Sequence, residues 1–201
     1  YVEEEAPACT QILTDLILKG NLKMTSDAAF ALYTGLVTDT GRFRFDSVVS
    51  HTFEVAAYLL SFGVSPSVLD NYLSVETLAT LKLKGYVLSN FQMTDEGFAY
   101  IKMTRDVVEK YGVSDEEAAN QVGTISTIEG CPVWALFMEY PGNEIRIRLR
   151  SRGPVINTLA EEYNGGGHAK AAGASLDSWD DLDGFVKKAS LLVKKYKEEQ
   201  N

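Results

Sequence analysis

Apolar positions recur at helical spacing through the first part of this chain and give way to alternation in the second. Ile12, Leu13, Leu16 and Ile17 fall on one face of a helix predicted over 10–18, which Gly20-Asn21 ends. Thr25 is placed to cap a second helix from Ser26 to about Val37, with Ala29, Tyr33 and Leu36 on its buried side. Val55, Leu59 and Phe62 mark a third, stopped by Gly63. Ser65-Pro66 is a cap followed by proline at the first helical position, and it opens a fourth with Leu69 and Leu73. A further helical segment is expected over roughly 75–83.

From Tyr86 onward strands are expected. Phe91-Gln92-Met93, a turn at 94–97 and Phe98-Ala99-Tyr100-Ile101 read as a hairpin. Thr104 and Ser114 can each cap a short helix, 132–138 is an apolar strand, and Pro141-Gly142-Asn143 turns the chain back. In Ile145-Arg146-Ile147-Arg148-Leu149-Arg150 a period of two puts three aliphatic side chains on one face and three guanidinium groups on the other. Like charges along one face repel, so an anionic partner or solvent must offset them. Residues 155–162 read as a helix. The change of pattern places a domain boundary near Gly85, giving domains 1–85 and 86–201 in a chain of α/β class, joined by a short helical connection.

Composition narrows the classes. A chain of 201 residues holds one domain or two small ones. No apolar run reaches transmembrane length and no signal-peptide pattern opens the chain, so no membrane partner is expected and a cytoplasmic location is. Cys9 and Cys131 lie far apart and read as buried free thiols. The net charge of −9 argues against long duplex nucleic acid as a partner. The arginines are nonetheless focused. Arg42 and Arg44 adjoin one aspartate, and Arg146, Arg148, Arg150 and Arg152 crowd one segment, which suits a short anionic ligand.

Two motifs carry candidate chemistry. Gly165-Gly166-Gly167-His168-Ala169-Lys170-Ala171-Ala172-Gly173-Ala174 reads as a loop whose uncovered backbone N–H groups approach a phosphate, with His168 at its lip as a donor. Asp39-Thr40-Gly41-Arg42-Phe43-Arg44 follows a strongly helical stretch and puts a carboxylate at a turn, where it can serve a hard metal ion. His51, near a helix start, is assigned capping or solvent exposure and no chemistry.

Together these motifs resemble the DHH phosphoesterase superfamily, in its nanoRNase/pAp phosphatase-like branch. There a D-T-G-R-F segment closes the catalytic domain and G-G-G-H-x-x-A-A-G marks the DHHA1 substrate domain. The stretch from Ala28 to Thr38 leading into Asp39 and the triplet Leu149-Arg150-Ser151 are similar too. The fold so implied is the helical C-terminal part of a DHH domain followed by a smaller α/β DHHA1 domain with a mixed sheet. The naming Asp-His-His triplet is absent, since His51 and His168 are the two histidines. Tyr1-Val2-Glu3 resembles the stretch after that triplet, so the chain is expected to be the C-terminal part of a longer enzyme, inactive alone. Arg148 stands where relatives often have serine, and Asn164 where they have a fourth glycine.

The resemblance implies a phosphoesterase acting on short RNA and on pAp, with two divalent ions, usually manganese, and Asp39 as metal ligand and catalytic residue. Arg42, Arg148, Arg150, Ser151, Gly165, Gly166, Gly167 and His168 would bind substrate, and a homodimer is left open. A cyclic-dinucleotide phosphodiesterase, a longer-chain exonuclease of the RecJ type and a non-catalytic nucleotide- or RNA-binding module are the alternatives.

Overall fold

A computed structural model describes residues 3 and 6–200; the opening Tyr1-Val2 compared above lies outside the described residues. The chain divides into two compact units between Val75 and Glu76. The expected boundary at Gly85 falls instead inside a helix, flanked by Leu83 and Val87, both buried in the core of the second unit.

The first unit holds α1 (Cys9–Lys19), α2 (Ser26–Asp39), α3 (Ser50–Leu60) and α4 (Pro66–Ser74) around a core that includes Ala29, Tyr33, Leu36, Val55, Leu59 and Leu69. Its starts follow the capping residues: the Thr25 hydroxyl accepts from Ala28 N at 3.2 Å, and the Ser65 hydroxyl from Val68 N at 3.4 Å. The face of α1 departs from expectation. Gln11 and Thr14 are its buried residues, whereas Leu13 and Leu16 are 49% and 45% exposed. The reason is close approach: a Cβ at Gly35 of α2 would collide with the Thr10 side chain, so α1 lies on α2 through small residues and its leucines are turned outward.

In the second unit α5 (Leu78–Asn90) begins after Thr77, whose hydroxyl accepts from Thr80 N at 3.1 Å. The helix expected over 75–83 is thus shifted, and Val75 is exposed. Then come β1 (Gln92–Met93), β2 (Phe98–Met103), α6 (Arg105–Tyr111), α7 (Asp115–Asn120), a 3₁₀ turn at Gln121–Ile125, β3 (Val133–Glu139) and β4 (Ile145–Ser151). The expected hairpin forms, with Gln92 opposite Tyr100. After α8 (Asn157–Glu161), shorter than the helix expected over 155–162, the chain makes β5 (Gly166–His168), β6 (Ala171–Leu176) and α9 (Leu182–Gln200).

The strands lie in the order β1-β2-β3-β4-β6-β5, with β2 parallel to β3 and the other pairs antiparallel, which is the mixed sheet expected. The parallel pair needs a crossover, and α6 and α7 supply it. Each face has its own core. On one, Phe98, Phe137, Ile147, Leu149 and Ala172 meet Phe185, Ala189 and Val193 of α9. On the other, Ile101, Leu136 and Met138 meet Leu83, Val108 and Ile125. Both cysteines are free, but Cys9 is exposed where a buried thiol was expected, while Cys131 is buried. No described helix is long and apolar enough to cross a membrane.

His51 ties α3 to α1. Its Nε2 lies 3.0 Å from both carboxylate oxygens of Asp15, and its Nδ1 lies 3.1 Å from Glu54. Hydrogen bonding to Asp15 first, then to Glu54, raises its pKa above the ordinary 6.5. The folded state therefore favours the protonated ring. That stabilisation is full below about pH 6.5 and is lost as pH rises through the raised value. The groups are partly exposed and screened, so it is worth no more than about 1 kcal/mol. Ring resonances followed by NMR should titrate above the ordinary histidine value, and His51→Gln should flatten the pH dependence of the melting temperature between neutral and mildly alkaline pH. An unshifted midpoint would remove the coupling.

Candidate functional site

The pleat of β4 builds the site. Ile145, Ile147 and Leu149 are buried in the core shared with α9, so Arg146, Arg148 and Arg150 face the opposite side. On that side the helical cover formed by α5, α6, α7 and the 3₁₀ turn packs on β2 and β3, whose residues make up that core; on β4 Arg146 is exposed, while Arg148 and Arg150 are half-buried.

Register then carries the arginine face across β6 and β5. Arg150 pairs with Ala171, and Ala171 with His168; Arg148 pairs with Gly173, and Gly173 with Gly166. Paired residues share a face, so His168 and Arg150 lie in one row across the sheet, with a small residue between them. The next row is Arg148 and two glycines. The outcome is a platform with cations at one side and almost no side chains over its middle.

The glycine triplet is thus no free loop. Gly166 and His168 bound an edge strand, and the Gly165 N–H is spent on Ala160 O at 3.0 Å. A Cβ at Gly165 would run into Gly173 O and lie 2.6 Å from Ala174 Cα. Gly167 has φ of 135°, and a Cβ there would lie 2.7 Å from Ala171 O. Gly166 alone of the three faces open space, where a strand glycine admits a ligand to the backbone. Asn164 takes the left-handed conformation expected of it, with φ of 52°.

The three arginines are in different electrostatic states. Arg146 donates to both carboxylate oxygens of Glu144, at 2.7 and 2.9 Å, and its guanidinium lies 4.7 Å from the Tyr140 ring centroid. Arg148 donates to a neutral amide, Asn120 Oδ1, at 3.0 Å. Arg150 donates to the carbonyl of Leu149 at 2.9 Å. Burial and then the charge of Arg148 push the Arg150 pKa below its ordinary value, although a guanidinium remains charged. Among the described residues neither Arg148 nor Arg150 has an acidic partner. A cleft of about 410 Å³ opens beside this strand, lined among others by Tyr140, Arg148, Asn164, Gly173 and Ser175.

Ser151 does not join the platform. It continues the buried side of β4, where its hydroxyl donates to Pro154 O at 2.6 Å and accepts from Gly153 N at 3.0 Å. Asn120 and Ser175, which no motif flagged, do line this side. Their positions depend on sheet register and helix packing, which leave no local mark in the sequence.

The Asp39 segment belongs to the first unit. Asp39 is the exposed last residue of α2, one position inside the helix that the expected turn follows. Gly41, Arg42 and Phe43 then adopt left-handed φ of 56°, 61° and 60° in succession. Such a conformation costs a non-glycine residue roughly 1–3 kcal/mol and persists only where surroundings over-determine it. They do here. Thr40 is buried, donates to Leu36 O at 2.6 Å and accepts from Phe43 N at 3.1 Å, while the Phe43 ring stacks on Phe53 at 5.2 Å. Arg42, expected to hold substrate, is engaged with Asp70 at 2.9 Å and Ser74 at 2.8 Å. Among the described residues no three histidine, cysteine, aspartate or glutamate side chains gather to hold a metal ion, so Asp39 builds no metal centre with them.

The DHHA1 domain model matches residues 95–195. The chain is 37% identical over 199 residues to the bifunctional oligoribonuclease and PAP phosphatase NrnA of Bacillus subtilis, which covers 98% of this chain and 63% of that protein. It is 32% identical over 194 residues to the probable bifunctional oligoribonuclease and PAP phosphatase NrnA of Streptococcus mutans, 96% of this chain and 63% of that one. Among solved structures, an exopolyphosphatase-related protein from Bacteroides fragilis superposes with a TM-score of 0.84 at 26% identity, over 98% of this chain and 62% of that one. The chain spans less than two thirds of the length of each.

Substitution should separate the three glycines. Gly165→Ala and Gly167→Ala force backbone apart and should each cost about 1–3 kcal/mol, whereas Gly166→Ala should stay within about 0.5 kcal/mol of wild type. Thermal or urea denaturation reads this directly, and equal losses at all three positions would contradict the packing described.

Proposed function

We propose, for a chain that belongs to the DHHA1 domain family, that the platform on β4, β6 and β5 grips the terminal nucleotide of a short RNA or of pAp. The protein as a whole would be a metal-dependent phosphoesterase of the oligoribonuclease and pAp phosphatase kind. One observation carries the reading: His168 and Arg150 share a row and a face, beside a strip where Gly166 and Gly173 present bare backbone. A phosphate set between the imidazole and the guanidinium receives charge-assisted hydrogen bonds from both. The ribose and base then lie over the glycines, where no Cβ holds them off. Arg150 has no acidic partner among the described residues, and an anion would offset the burial that lowers its pKa.

The preference for short substrates follows from the same layout. The platform's guanidinium groups lie on one face of one strand in a chain whose net charge is −9, which suits a short anion better than a long duplex. The names of the two relatives support both the oligoribonuclease and the pAp phosphatase reading.

Divalent metal ions, manganese by the resemblance, would supply an activated water in such an enzyme. The described residues do not fit a two-metal centre, and no step of hydrolysis is assigned to them. Asp39 is offered as one ligand, with the others drawn from the part of the longer relatives that this chain does not span. The 201-residue chain should accordingly show no manganese-stimulated hydrolysis of dinucleotides or pAp. Chelator-sensitive turnover that co-purifies with it would overturn this.

Binding is testable in the chain itself. Loss of one charged hydrogen-bond partner at a partly buried site costs roughly 1.5–3 kcal/mol, or on the order of ten- to a hundredfold in affinity. Arg150→Ala and His168→Ala should each weaken AMP binding by that much in a calorimetric titration, with little change in melting temperature. If both variants bind AMP like wild type, the nucleotide site lies elsewhere.

A further inference from the structure

Resting on that nucleotide-binding reading, we propose that the guanidinium plane of Arg146 is the surface on which the nucleobase stacks. Of the three arginines on this face of β4, Arg146 is the one least able to hold a phosphate. It donates to both oxygens of Glu144, at 2.7 and 2.9 Å, so a carboxylate already meets its charge. Hydrogen bonding from Arg146 also holds the Glu144 carboxyl below its ordinary pKa, which keeps the pair ionised at neutral pH.

What this pairing supplies is a fixed plane. Two parallel bonds to one carboxylate set the orientation of a guanidinium as well as its position. The Tyr140 ring, its centroid 4.7 Å from Arg146 Cζ, backs one side of that plane. The Arg146 side chain is nonetheless 57% exposed, so the other side is open. A flat guanidinium held in place with one open face is a stacking surface for a base.

The cleft of about 410 Å³ beside Arg146 suits a base better than an anion. Leu136 and Met138 give it apolar lining, Glu144 adds a negative charge that repels phosphate, and Arg148 is tied to Asn120. Asn164 and Ser175 add an amide and a hydroxyl whose side chains make no hydrogen bond among the described residues, placed to meet the polar edge of a ring. The register supplies the order. Arg150 pairs with Ala171, Arg148 with Gly173 and Arg146 with Ser175, in rows about 6.7 Å apart on one face. A nucleotide with its phosphate in the Arg150–His168 row therefore lays its ribose over the bare Gly173 row and turns its base towards Arg146. Stacking reads the area of a ring more than its edge, so the subsite accepts any base and favours purines.

The test is calorimetric titration of the 201-residue chain with ribose 5-phosphate, UMP and AMP at one ionic strength. All three carry the same phosphate, and the first has no base. Wild type should bind AMP on the order of ten- to a hundredfold more tightly than ribose 5-phosphate, with UMP between them. Arg146→Lys keeps the charge and gives up the plane. It should bring AMP down to the affinity of ribose 5-phosphate and leave ribose 5-phosphate within about threefold of wild type. Glu144→Gln removes the charged clamp and should narrow the difference as well. Both positions are exposed, and unchanged melting curves confirm that the fold is intact.

Four outcomes overturn the assignment. If wild type binds AMP no better than ribose 5-phosphate, the phosphate platform stands and the base subsite falls. If Arg146→Lys retains the full preference for AMP, the plane of Arg146 is not the contact. If it weakens both ligands equally, Arg146 acts on the phosphate instead. If wild type binds none of the three, the nucleotide-binding reading itself fails and takes the subsite with it.

Discussion

The pleat of β4 is the constraint on which the second unit depends. Because successive side chains point to opposite faces, Ile145, Ile147 and Leu149 enter a core with Phe137 and Phe185 while three guanidinium groups are held on the other side. A register slip of one residue would send the arginines into that core, where an unpaired charge is prohibitive. The hydrophobic side therefore fixes the polar side. It also decides the role of Ser151, which falls on the apolar side of the same pleat and spends its hydroxyl on Pro154.

Small residues make the polar side usable. Across β6 and β5 the arginine rows continue into Ala171, Gly173 and Gly166, so nothing tall stands between the guanidinium groups and the sheet edge. Gly165 and Gly167 serve a different end, letting β5 close on β6 and on the end of α8. Three adjacent glycines thus divide between packing and access. In the first unit the unusual backbone is achieved without glycine at every position: Arg42 and Phe43 hold left-handed conformations because the buried Thr40 hydroxyl and the Phe43–Phe53 stack fix them.

Periodicity and caps made most elements legible. Thr25, Ser65 and Ser114 each accept from a backbone N–H at a helix start, and the alternation of β4 is the burial pattern observed. What escaped was whatever depends on distant partners. The leucines of α1 looked like a buried stripe, yet Gly35 lets Thr10 and Thr14 take that side. The break at Val75 escaped because the helix beyond it is apolar on several sides, with Leu78, Leu81 and Leu88 exposed. Of the candidate site, His168, Arg150 and Arg148 were visible as motif and alternation. Their union in neighbouring rows was not, since register between β4, β6 and β5 is a property of pairing, and Asn120 reaches the strand only through the packing of α7. The glycine triplet misled in one respect, because a run of glycines reads the same whether it is a loop or an edge strand.

The connectivity of the sheet bears on how the platform is assembled. β3 and β4 are joined by a tight turn at Pro141–Asn143, and β6 follows soon after, whereas β2 meets β3 only across the segment that contains α6 and α7. Loop closure costs more entropy for the longer connection, so the order of assembly favours the β3–β4 hairpin, then β6, with β2 and β1 docking late. On that route the arginine strand forms while its polar face is still in water. The like charges stay hydrated until the helices arrive on β2 and β3, and only then do Arg148 and Arg150 become half-buried.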